Sequence, residues 1–340
     1  MLGALKSRKC CDQDSFVCTP AFAIILVGYN SVEMKLKNQN ILVTGGNGFL
    51  GRHVVSKLKR CGATNIFTPR SKEYNLLERS NCQSLINGVD LVIHLAAQVG
   101  GIGYINDHPG EMFYKNAVMG IELMEAARRA KVKKFVSIGT VCAYPNVLTL
   151  PFKEADLWRG YPEDTTAPYG LAKKMLLVQG NAYRKQYGFN AIHLIPVNLY
   201  GPGDNFNRAS AHVIPALIKK IIDARNKNKK SVEVWGSGSA TREFLYVKDA
   251  AEGIVQATLK YQDVKPLNLG TGVETSIKEV VEIIMKLCNY KGSIRWNDNK
   301  PDGQPRRQLD VSRAKRIGFT AKTSLREGLK KTIEWYLEHL

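Results

Sequence analysis

The sequence predicts an α/β protein built on a doubly wound parallel sheet, with a smaller C-terminal α/β lobe. Three observations predict this fold class. From Asn40 onward, short β-branched runs alternate with long amphipathic stretches, which is typical of parallel strands covered by helices. The first run leads into a glycine-rich turn that is followed at once by an amphipathic stretch. After about Pro202 the alternation loosens, and short strands mix with helices.

The pattern predicts the following elements. Strands are expected at 41–43, 65–67, 91–93, 135–138 and 191–197, and helices at 49–60, 112–130 and 169–187. In the second of these helices, apolar side chains recur at helical spacing from Val118 to Ala127. In the C-terminal lobe we expect strands at 233–235 and 266–269 and helices at 213–224, 277–287 and 325–340.

The chain divides into three predicted parts. Residues 1–33 are expected to be a dispensable extension, because Met34 opens the segment that leads into the first strand. The apolar run at 20–28 is too short for a membrane anchor, and Asp12 and Asp14 interrupt a signal-peptide pattern. Residues 34–200 are expected to form the cofactor-binding domain, and later segments of the chain are expected to contribute to its core. Residues 201–340 are expected to form mainly the substrate-binding lobe.

The composition narrows the range of partners. Lys and Arg number 49 against 30 Asp and Glu, which gives a net charge of +19 and favours anionic ligands, including small phosphate-rich molecules. Neither zinc-finger spacing nor an aromatic RNA-binding pattern is present, so we expect no nucleic-acid partner. No apolar stretch reaches the roughly 18–20 residues of a membrane span, and we expect no membrane partner. Seven irregularly spaced cysteines indicate reduced thiols and a cytoplasmic location.

The glycine-rich turn is the first candidate site. Gly45, Gly48 and Gly51 form a G-x-x-G-x-x-G pattern between a predicted strand and a predicted helix. Such glycines let the backbone approach a pyrophosphate, whose charge the helix N-terminus offsets. An empty glycine-rich turn is the competing interpretation, and the flanking strand and helix favour a Rossmann-like dinucleotide site. The residues predicted to contact the cofactor here are Gly45, Asn47, Gly48, Phe49, Leu50 and Gly51.

The end of the second predicted strand indicates which dinucleotide binds. An NAD site usually has an acidic residue there for the ribose hydroxyls. This chain has Arg70, and the next carboxylate is Glu73. An arginine can pair with the 2′-phosphate of NADP, so we predict NADP(H) as the cofactor. The alternative is that Arg70 is a solvated loop residue.

Tyr169 and Lys173 are candidate catalytic residues. They lie one helical turn apart, on one face of the predicted helix. A cation at this place is expected to lower the pKa of the phenol and to hold the cofactor ribose, so that Tyr169 can exchange a proton beside a carbonyl. Thr140 follows a predicted strand and offers a second hydroxyl to the same carbonyl.

With these residues in place, the chain resembles the extended short-chain dehydrogenases/reductases and, more narrowly, the GDP-L-fucose synthases. The resemblance covers nearly all of the chain after Asn40. The matching stretches are HLAAQVGGI at 94–102, CAYP at 142–145, NLYGPGDNF at 198–206, HVIPAL at 212–217, VWGSG at 234–238, REFL at 242–245 and KPDGQPRR at 300–307.

The resemblance implies NADPH-dependent 3,5-epimerisation and 4-reduction of GDP-4-keto-6-deoxy-D-mannose to GDP-L-fucose. Cys142 and His212 match the two acid/base groups that flank the sugar ring in this family, and which of them removes the proton stays open. A thiol and an imidazole can each carry a proton near neutral pH. The resemblance adds cofactor contacts at Ala96, Lys173, Asn198 and His212, and substrate contacts at Asn198, Lys220, Trp235, Arg242 and Arg306. No metal is expected.

Two departures keep alternatives open. Thr140-Val141-Cys142 stands where the family usually has Ser-Ser-Cys, and Lys219 and Lys220 stand where it often has arginines. The alternatives are a reductase or epimerase of another nucleotide-linked 4-keto sugar, such as a GDP-deoxyheptose, and a non-catalytic NADP-binding regulator. Retention of Tyr169 and Lys173 counts against a regulator. The absence of a carboxylate beside Thr140 counts against a 4,6-dehydratase. By analogy with the superfamily, we expect a homodimer.

Overall fold

The computed structural model describes residues 34–146, 149–299 and 304–340. The prediction for residues 1–33 therefore lies outside the described residues. In the first half of the described chain the elements are β1 (Asn40–Thr44), α1 (Phe49–Arg60), β2 (Asn65–Phe67), α2 (Arg79–Leu85), β3 (Leu91–His94), α3 (Ile102–Asp107), α4 (Pro109–Arg129), β4 (Lys134–Ile138), α5 (Ala167–Tyr187) and β5 (Ala191–Pro196). In the second half they are β6 (Asn198–Tyr200), α6 (Val213–Asn226), β7 (Ser231–Trp235), β8 (Thr241–Tyr246), α7 (Val247–Lys260), β9 (Leu267–Leu269), β10 (Glu274–Ser276), α8 (Ile277–Leu287), β11 (Ser293–Asn297), α9 (Ser312–Arg316) and α10 (Leu325–Glu338).

A six-stranded parallel sheet organises the fold. Its strand order is β2-β1-β3-β4-β5-β9. Every residue of β3, β4 and β5 is buried, as expected for parallel strands that are covered by helices on both faces. The order reverses direction between β1 and β3. In such sheets, ligands bind at this reversal, outside the carboxyl ends of the strands. The predicted fold class is confirmed.

The last strand of this sheet comes from late in the chain. We placed the predicted strand at 266–269 in the C-terminal lobe, but β9 pairs with β5, with Leu194 opposite Leu267 and Pro196 opposite Leu269. All three of its residues are buried, so the apolar strand completes the edge of the large sheet. The helix that precedes it, α7, packs against α1, and Lys57 Nζ lies 2.5 Å from Glu252 Oε2.

Two smaller sheets build most of the remaining C-terminal part. One is three-stranded in the order β10-β8-β6, and the other pairs β11 with β7 in parallel. Side chains of α6, α8 and α10 form a second apolar core against them, including Ile218, Ile284 and Ile333. None of the described helices is both long and apolar enough to cross a membrane.

A buried lysine joins β4 to α7. Lys134 is fully buried, and its Nζ donates to the carbonyl oxygens of Thr258 at 2.5 Å and Tyr261 at 2.7 Å. Helix C-termini leave such carbonyls without intrahelical partners, so the lysine satisfies the end of α7. Burial, together with the nearby Arg184 charge, lowers the pKa of Lys134 to about 7.

Candidate active site

A cavity of about 1360 Å³ lies at the carboxyl ends of β1, β3 and β4 and extends to residues of β6, α6, β7 and β8. Its walls include every residue that the sequence analysis assigned to the cofactor, to catalysis and to the substrate, except Arg306. Residues that lie up to about two hundred positions apart in the chain are thus brought to one cavity. Among the described residues, no group of three or more His, Cys, Asp or Glu side chains could hold a metal ion.

The glycine turn has the geometry that a pyrophosphate requires. Gly45 has φ +70°, and a Cβ there would lie 2.8 Å from the backbone nitrogen of Ala96. A Cβ on Gly51 would lie 2.0 Å from the carbonyl oxygen of Gly45, so both positions require glycine. No described side chain caps the N-terminus of α1, and its first turn carries no acid. Its backbone N–H groups can therefore bind a phosphate.

Cationic side chains follow the end of β2. Arg70 and Lys72 both line the cavity, and Asn47 Nδ2 donates to the carbonyl of Thr68 at 3.1 Å, which ties the glycine turn to this segment. Two cations at the site of the adenosine ribose fit the extra phosphate of NADP. The sequence analysis did not assign Lys72, although its place two residues after Arg70 was visible in the sequence.

Tyr169 and Lys173 lie in α5 and face the cavity. We expected Lys173 to lower the pKa of Tyr169. In the structure the net shift is upward, because burial raises the pKa of Tyr169 and the nearby Cys142 raises it further. Burial also lowers the pKa of Lys173 to about 8. The phenol therefore carries its proton at neutral pH, which is the state that a proton donor needs.

Two buried histidines flank Lys173. His94 in β3 and His193 in β5 belong to one in-register row across the sheet that also contains Thr44 and Ser137. Thr44 Oγ1 lies 2.8 Å from His94 Nδ1, and Ser137 Oγ lies 2.8 Å from His193 Nδ1. Burial lowers the pKa of both imidazoles to about 3, and the Lys173 charge contributes. Both rings are therefore neutral beneath the site, and the sequence analysis did not assign them.

Thr140 and Cys142 follow β4 in a 3-10 turn at Val141–Ala143. Thr140 Oγ1 accepts a hydrogen bond from the backbone N–H of Cys142 at 3.2 Å. A hydroxyl that accepts through its oxygen still has its own proton to donate, so Thr140 can donate to a carbonyl oxygen in the cavity. Cys142 is a half-buried free thiol.

His212 sits at the N-cap position of α6. Its side chain is accessible from the cavity, while desolvation by the surrounding protein lowers its pKa. The neutral imidazole is therefore favoured near neutral pH. Its carbonyl accepts from Ala216 N at 3.0 Å, so His212 both begins the helix and presents a ring to the cavity.

The predicted substrate residues line the part of the cavity that lies beyond the sheet. Asn198 Nδ2 donates to the backbone carbonyl of Glu243 at 3.0 Å. Lys220 Nζ lies 5.4 Å from the ring centroid of Trp235, and Arg242 also lines the cavity. Burial lowers the pKa of Lys220. Two cationic residues beside an accessible indole fit the diphosphate and base of a nucleotide sugar.

Arg306 is the predicted residue that the structure does not place in the cavity. Its Nε donates to Glu274 Oε1 at 3.0 Å on the protein surface, whereas Arg307 lines the cavity and is 8% exposed. Burial alternates along the segment 306–309: Arg307 and Leu309 are buried, while Arg306 is exposed. Adjacent side chains of extended chain face opposite sides, so the neighbouring Arg307, rather than the predicted Arg306, lines the cavity.

Comparison with known proteins finds one family and several similar enzymes. The model of the NAD dependent epimerase/dehydratase family matches residues 41–270. GDP-L-fucose synthase 1 of Arabidopsis thaliana is 35% identical over 316 residues, covering 92% of this chain and 98% of that protein. A GDP-L-fucose synthetase from Naegleria fowleri, solved with NADP bound, has a TM-score of 0.83 at 29% identity and covers 90% of this chain and 97% of its own. A GDP-6-OMe-4-keto-L-xylo-heptose reductase from Campylobacter jejuni has a TM-score of 0.85 at 25% identity, covering 91% and 100%.

Proposed function

The chain belongs to the NAD dependent epimerase/dehydratase family, and we propose that it converts GDP-4-keto-6-deoxy-D-mannose to GDP-L-fucose by 3,5-epimerisation and NADPH-dependent 4-reduction. One observation carries this proposal: Thr140, Cys142, Tyr169, Lys173 and His212 all line the cavity that also contains the glycine turn. The similarity to GDP-L-fucose synthase 1 supports the substrate.

NADP(H) is the cofactor that fits the site, and it supplies the hydride for C4 when bound. The glycine turn and the N-terminus of α1 bind its pyrophosphate. Arg70 pairs with its 2′-phosphate, and Lys173 holds the ribose beside Tyr169. The NADP-bound relative from Naegleria fowleri supports this choice.

The epimerisation uses the acidity of carbons next to a ketone. Thr140 and Tyr169 donate hydrogen bonds to the carbonyl oxygen and stabilise the negative charge that develops there when a proton leaves C3 or C5. One of Cys142 and His212 takes that proton, and the other returns a proton to the opposite face. For the reduction, Tyr169 transfers its proton to the C4 oxygen, since the buried phenol carries its proton at neutral pH.

At the substrate end, Lys220 and Arg242 pair with the diphosphate, and Trp235 packs against the nucleotide base. A guanidinium binds two phosphate oxygens at once, while an ammonium acts as a point charge. We therefore expect Arg242 to orient the diphosphate and Lys220 mainly to attract it.

Product analysis tests the proposal directly. The full chain is incubated with GDP-4-keto-6-deoxy-D-mannose and NADPH, and the product is identified by NMR and mass spectrometry. We expect GDP-L-fucose, and deuterium from D₂O at C3 and C5 of the sugar. Cys142→Ala is expected to stop the deuterium uptake. A 4-reduced sugar without deuterium at either carbon would contradict the epimerase part of the proposal.

Reduction of a GDP-linked 4-keto-heptose is the second candidate. The fit to the Campylobacter jejuni heptose reductase, with a TM-score of 0.85, favours it. In addition, Val141 stands between Thr140 and Cys142, where the GDP-L-fucose synthases usually have serine. The same assay with a GDP-4-keto-heptose distinguishes the two candidates. The substrate with the higher kcat/KM is the physiological one.

We also propose that the protein is a cytoplasmic homodimer. The outer faces of α4 and α5 carry exposed apolar side chains: Phe113, Tyr114, Met175 and Val178 are 37–58% exposed. By analogy with the superfamily, we assign the dimer contact to this helix pair. The four described cysteines are free, which fits a reducing compartment. Light scattering of wild type and Val178→Lys tests the contact, and an unchanged dimer in the variant would contradict it.

A further inference from the structure

We propose that Arg307 is a positioning residue for epimerisation: its guanidinium holds the Cys142 sulfur at the cavity wall and binds it most strongly as the thiolate. The inference rests on the proposed function, because it assigns Cys142 to proton transfer. The sequence analysis gave Arg307 no role. The contact joins two residues 165 positions apart in the chain.

The geometry places a charged donor directly against the sulfur. Arg307 Nη1 lies 3.6 Å from Cys142 Sγ, within hydrogen-bonding distance for sulfur. Both residues line the cavity. A guanidinium keeps its charge at every pH relevant to proteins. Its hydrogen bond to the sulfur strengthens when the sulfur becomes negative, because bonds between ionised partners are about twice as strong as neutral ones.

The remaining guanidinium nitrogens are held by other groups. Nε donates to Gln304 Oε1 at 2.6 Å, and Gln304 Nε2 in turn donates to the carbonyl of Asn146 at 2.9 Å. Nη2 lies 3.9 Å from Glu163 Oε2, and that carboxylate accepts from Thr166 Oγ1 at 3.0 Å. The planar fork of an arginine is pre-organised. Because Gln304 and Glu163 contact the Arg307 guanidinium on two sides, the guanidinium sets the position of the Cys142 sulfur.

The thiolate occurs in either assignment of the acid and the base. If Cys142 is the base, its thiolate takes the proton from the sugar carbon, and the electron pair of the broken C–H bond moves into the enolate. His212, protonated, then returns a proton to the opposite face. If Cys142 is the acid, its S–H proton passes to the carbon, and the S–H electron pair stays on sulfur. Arg307 offsets the charge on sulfur in both cases.

Direct binding of the substrate diphosphate is the competing role for Arg307. Its contacts favour the sulfur, since the guanidinium is already engaged by Gln304, Glu163 and Cys142. Lys220 and Arg242 line the same cavity as separate cations. The two roles predict different kinetics. Loss of a diphosphate contact raises the KM for the keto sugar in both deuterium uptake and reduction, whereas loss of the sulfur contact slows proton transfer at nearly unchanged KM.

Three variants of the full chain test the inference. Arg307→Gln removes the charge, and Arg307→Lys keeps the charge but loses the fork. Arg326→Gln is the matched control, because Arg326 is an exposed arginine of α10 that does not line the cavity. Each variant is checked for its circular dichroism spectrum. Deuterium uptake at C3 and C5 in D₂O, and the KM for the keto sugar, are then measured.

We expect Arg307→Gln to slow deuterium uptake by about 10- to 100-fold, the value of one charge-assisted hydrogen bond. KM should change by less than roughly threefold, since the diphosphate contacts remain. Arg307→Lys should recover part of the rate, and Arg326→Gln should match wild type. An Arg307→Gln variant whose KM rises as much as its exchange falls would overturn the inference, because Arg307 would then anchor the substrate.

A second measurement needs no substrate. The rate of iodoacetamide alkylation of Cys142 is followed by mass spectrometry of the peptide that contains it. This rate reports the fraction of Cys142 present as thiolate, because the thiolate is the nucleophile. It should fall by about 10-fold in Arg307→Gln and stay unchanged in Arg326→Gln. Equal alkylation rates in Arg307→Gln and wild type would reject the sulfur contact. Absence of deuterium uptake by wild type would instead reject the proposed function, while the alkylation result still decides the contact.

Discussion

Replacement of Glu243 by glutamine tests how β8 holds the segments around the cavity. Glu243 is fully buried. Its Oε1 accepts from the backbone N–H groups of Thr271 at 2.5 Å and Gly272 at 2.7 Å, and its Oε2 accepts from Leu309 N at 2.7 Å. One carboxylate thus joins β8 to the turn after β9 and to the segment that carries Arg307. Glutamine has the same shape but only one acceptor oxygen.

The structure gives the size of the effect. If the glutamine oxygen stays with Thr271 and Gly272, its amide nitrogen faces Leu309 N–H, and a buried donor loses its acceptor at a cost of about 1–3 kcal/mol. The other two bonds change from charge-assisted to neutral and each lose about 1 kcal/mol. Burial raises the pKa of Glu243, which shows that the buried charge is itself unfavourable. Removal of the charge therefore offsets part of the stability lost with the hydrogen bonds. We expect Glu243→Gln to lower the free energy of unfolding by about 3 kcal/mol.

Urea unfolding followed by circular dichroism measures this change. Glu282→Gln is the control, because Glu282 is exposed in α8 and an exposed substitution should stay within about 0.5 kcal/mol of wild type. The Glu243→Gln variant should also show slower deuterium uptake, since Leu309 lies two residues after Arg307. A loss of less than about 1 kcal/mol would refute the reasoning that the three N–H groups depend on the carboxylate.

Three further predictions follow from the same structure. Tyr169→Phe should slow the reduction by about 10²- to 10⁴-fold in single-turnover measurements, because the proton donor is lost, while NADPH titration shows binding retained. Arg70→Ala should lower the ratio of kcat/KM for NADPH over NADH by roughly 10- to 100-fold, and an unchanged ratio would remove Arg70 from the 2′-phosphate site. Lys134 has a pKa of about 7 in the folded protein and an unfolded value near 10.4, so above pH 7 the unfolded chain binds more protons. The free energy of unfolding should then rise with pH by up to about 1.4 kcal/mol per unit, and urea unfolding at several pH values should show a smaller rise for Lys134→Met.

The strongest local patterns were sufficient to predict the strands and the long helices in the first half of the fold. The predicted helices at 49–60 and 277–287 coincide with α1 and α8, because their apolar spacing lies within one continuous segment. The predicted strands at 41–43, 91–93 and 135–138 fall within β1, β3 and β4. The strands β6, β8, β10 and β11 and the helices α2, α3, α7 and α9 were not predicted. Three-residue strands such as β10, with half-buried side chains, carry too little periodicity to be recognised.

The candidate site shows the same division. The glycine turn was recognisable because its spacing and its flanking elements are adjacent in sequence, and the pair Tyr169 and Lys173 because both share one helix face. The identity of the cavity arginine was not recognisable. Arg306 and Arg307 are the same residue type in the sequence. The direction of each side chain depends on its contacts in the folded protein, with Glu274 for Arg306 and with Gln304 and Cys142 for Arg307.

The sequence by itself therefore determined the fold class, the cofactor loop and the residue types that carry the chemistry, since each is encoded within a short stretch of chain. Only the tertiary structure decided that β9 returns to the large sheet, that burial raises the pKa of Tyr169, and that Arg307 contacts Cys142. Each of these depends on groups far apart in sequence. Burial and the direction of a side chain arise only when distant segments pack together.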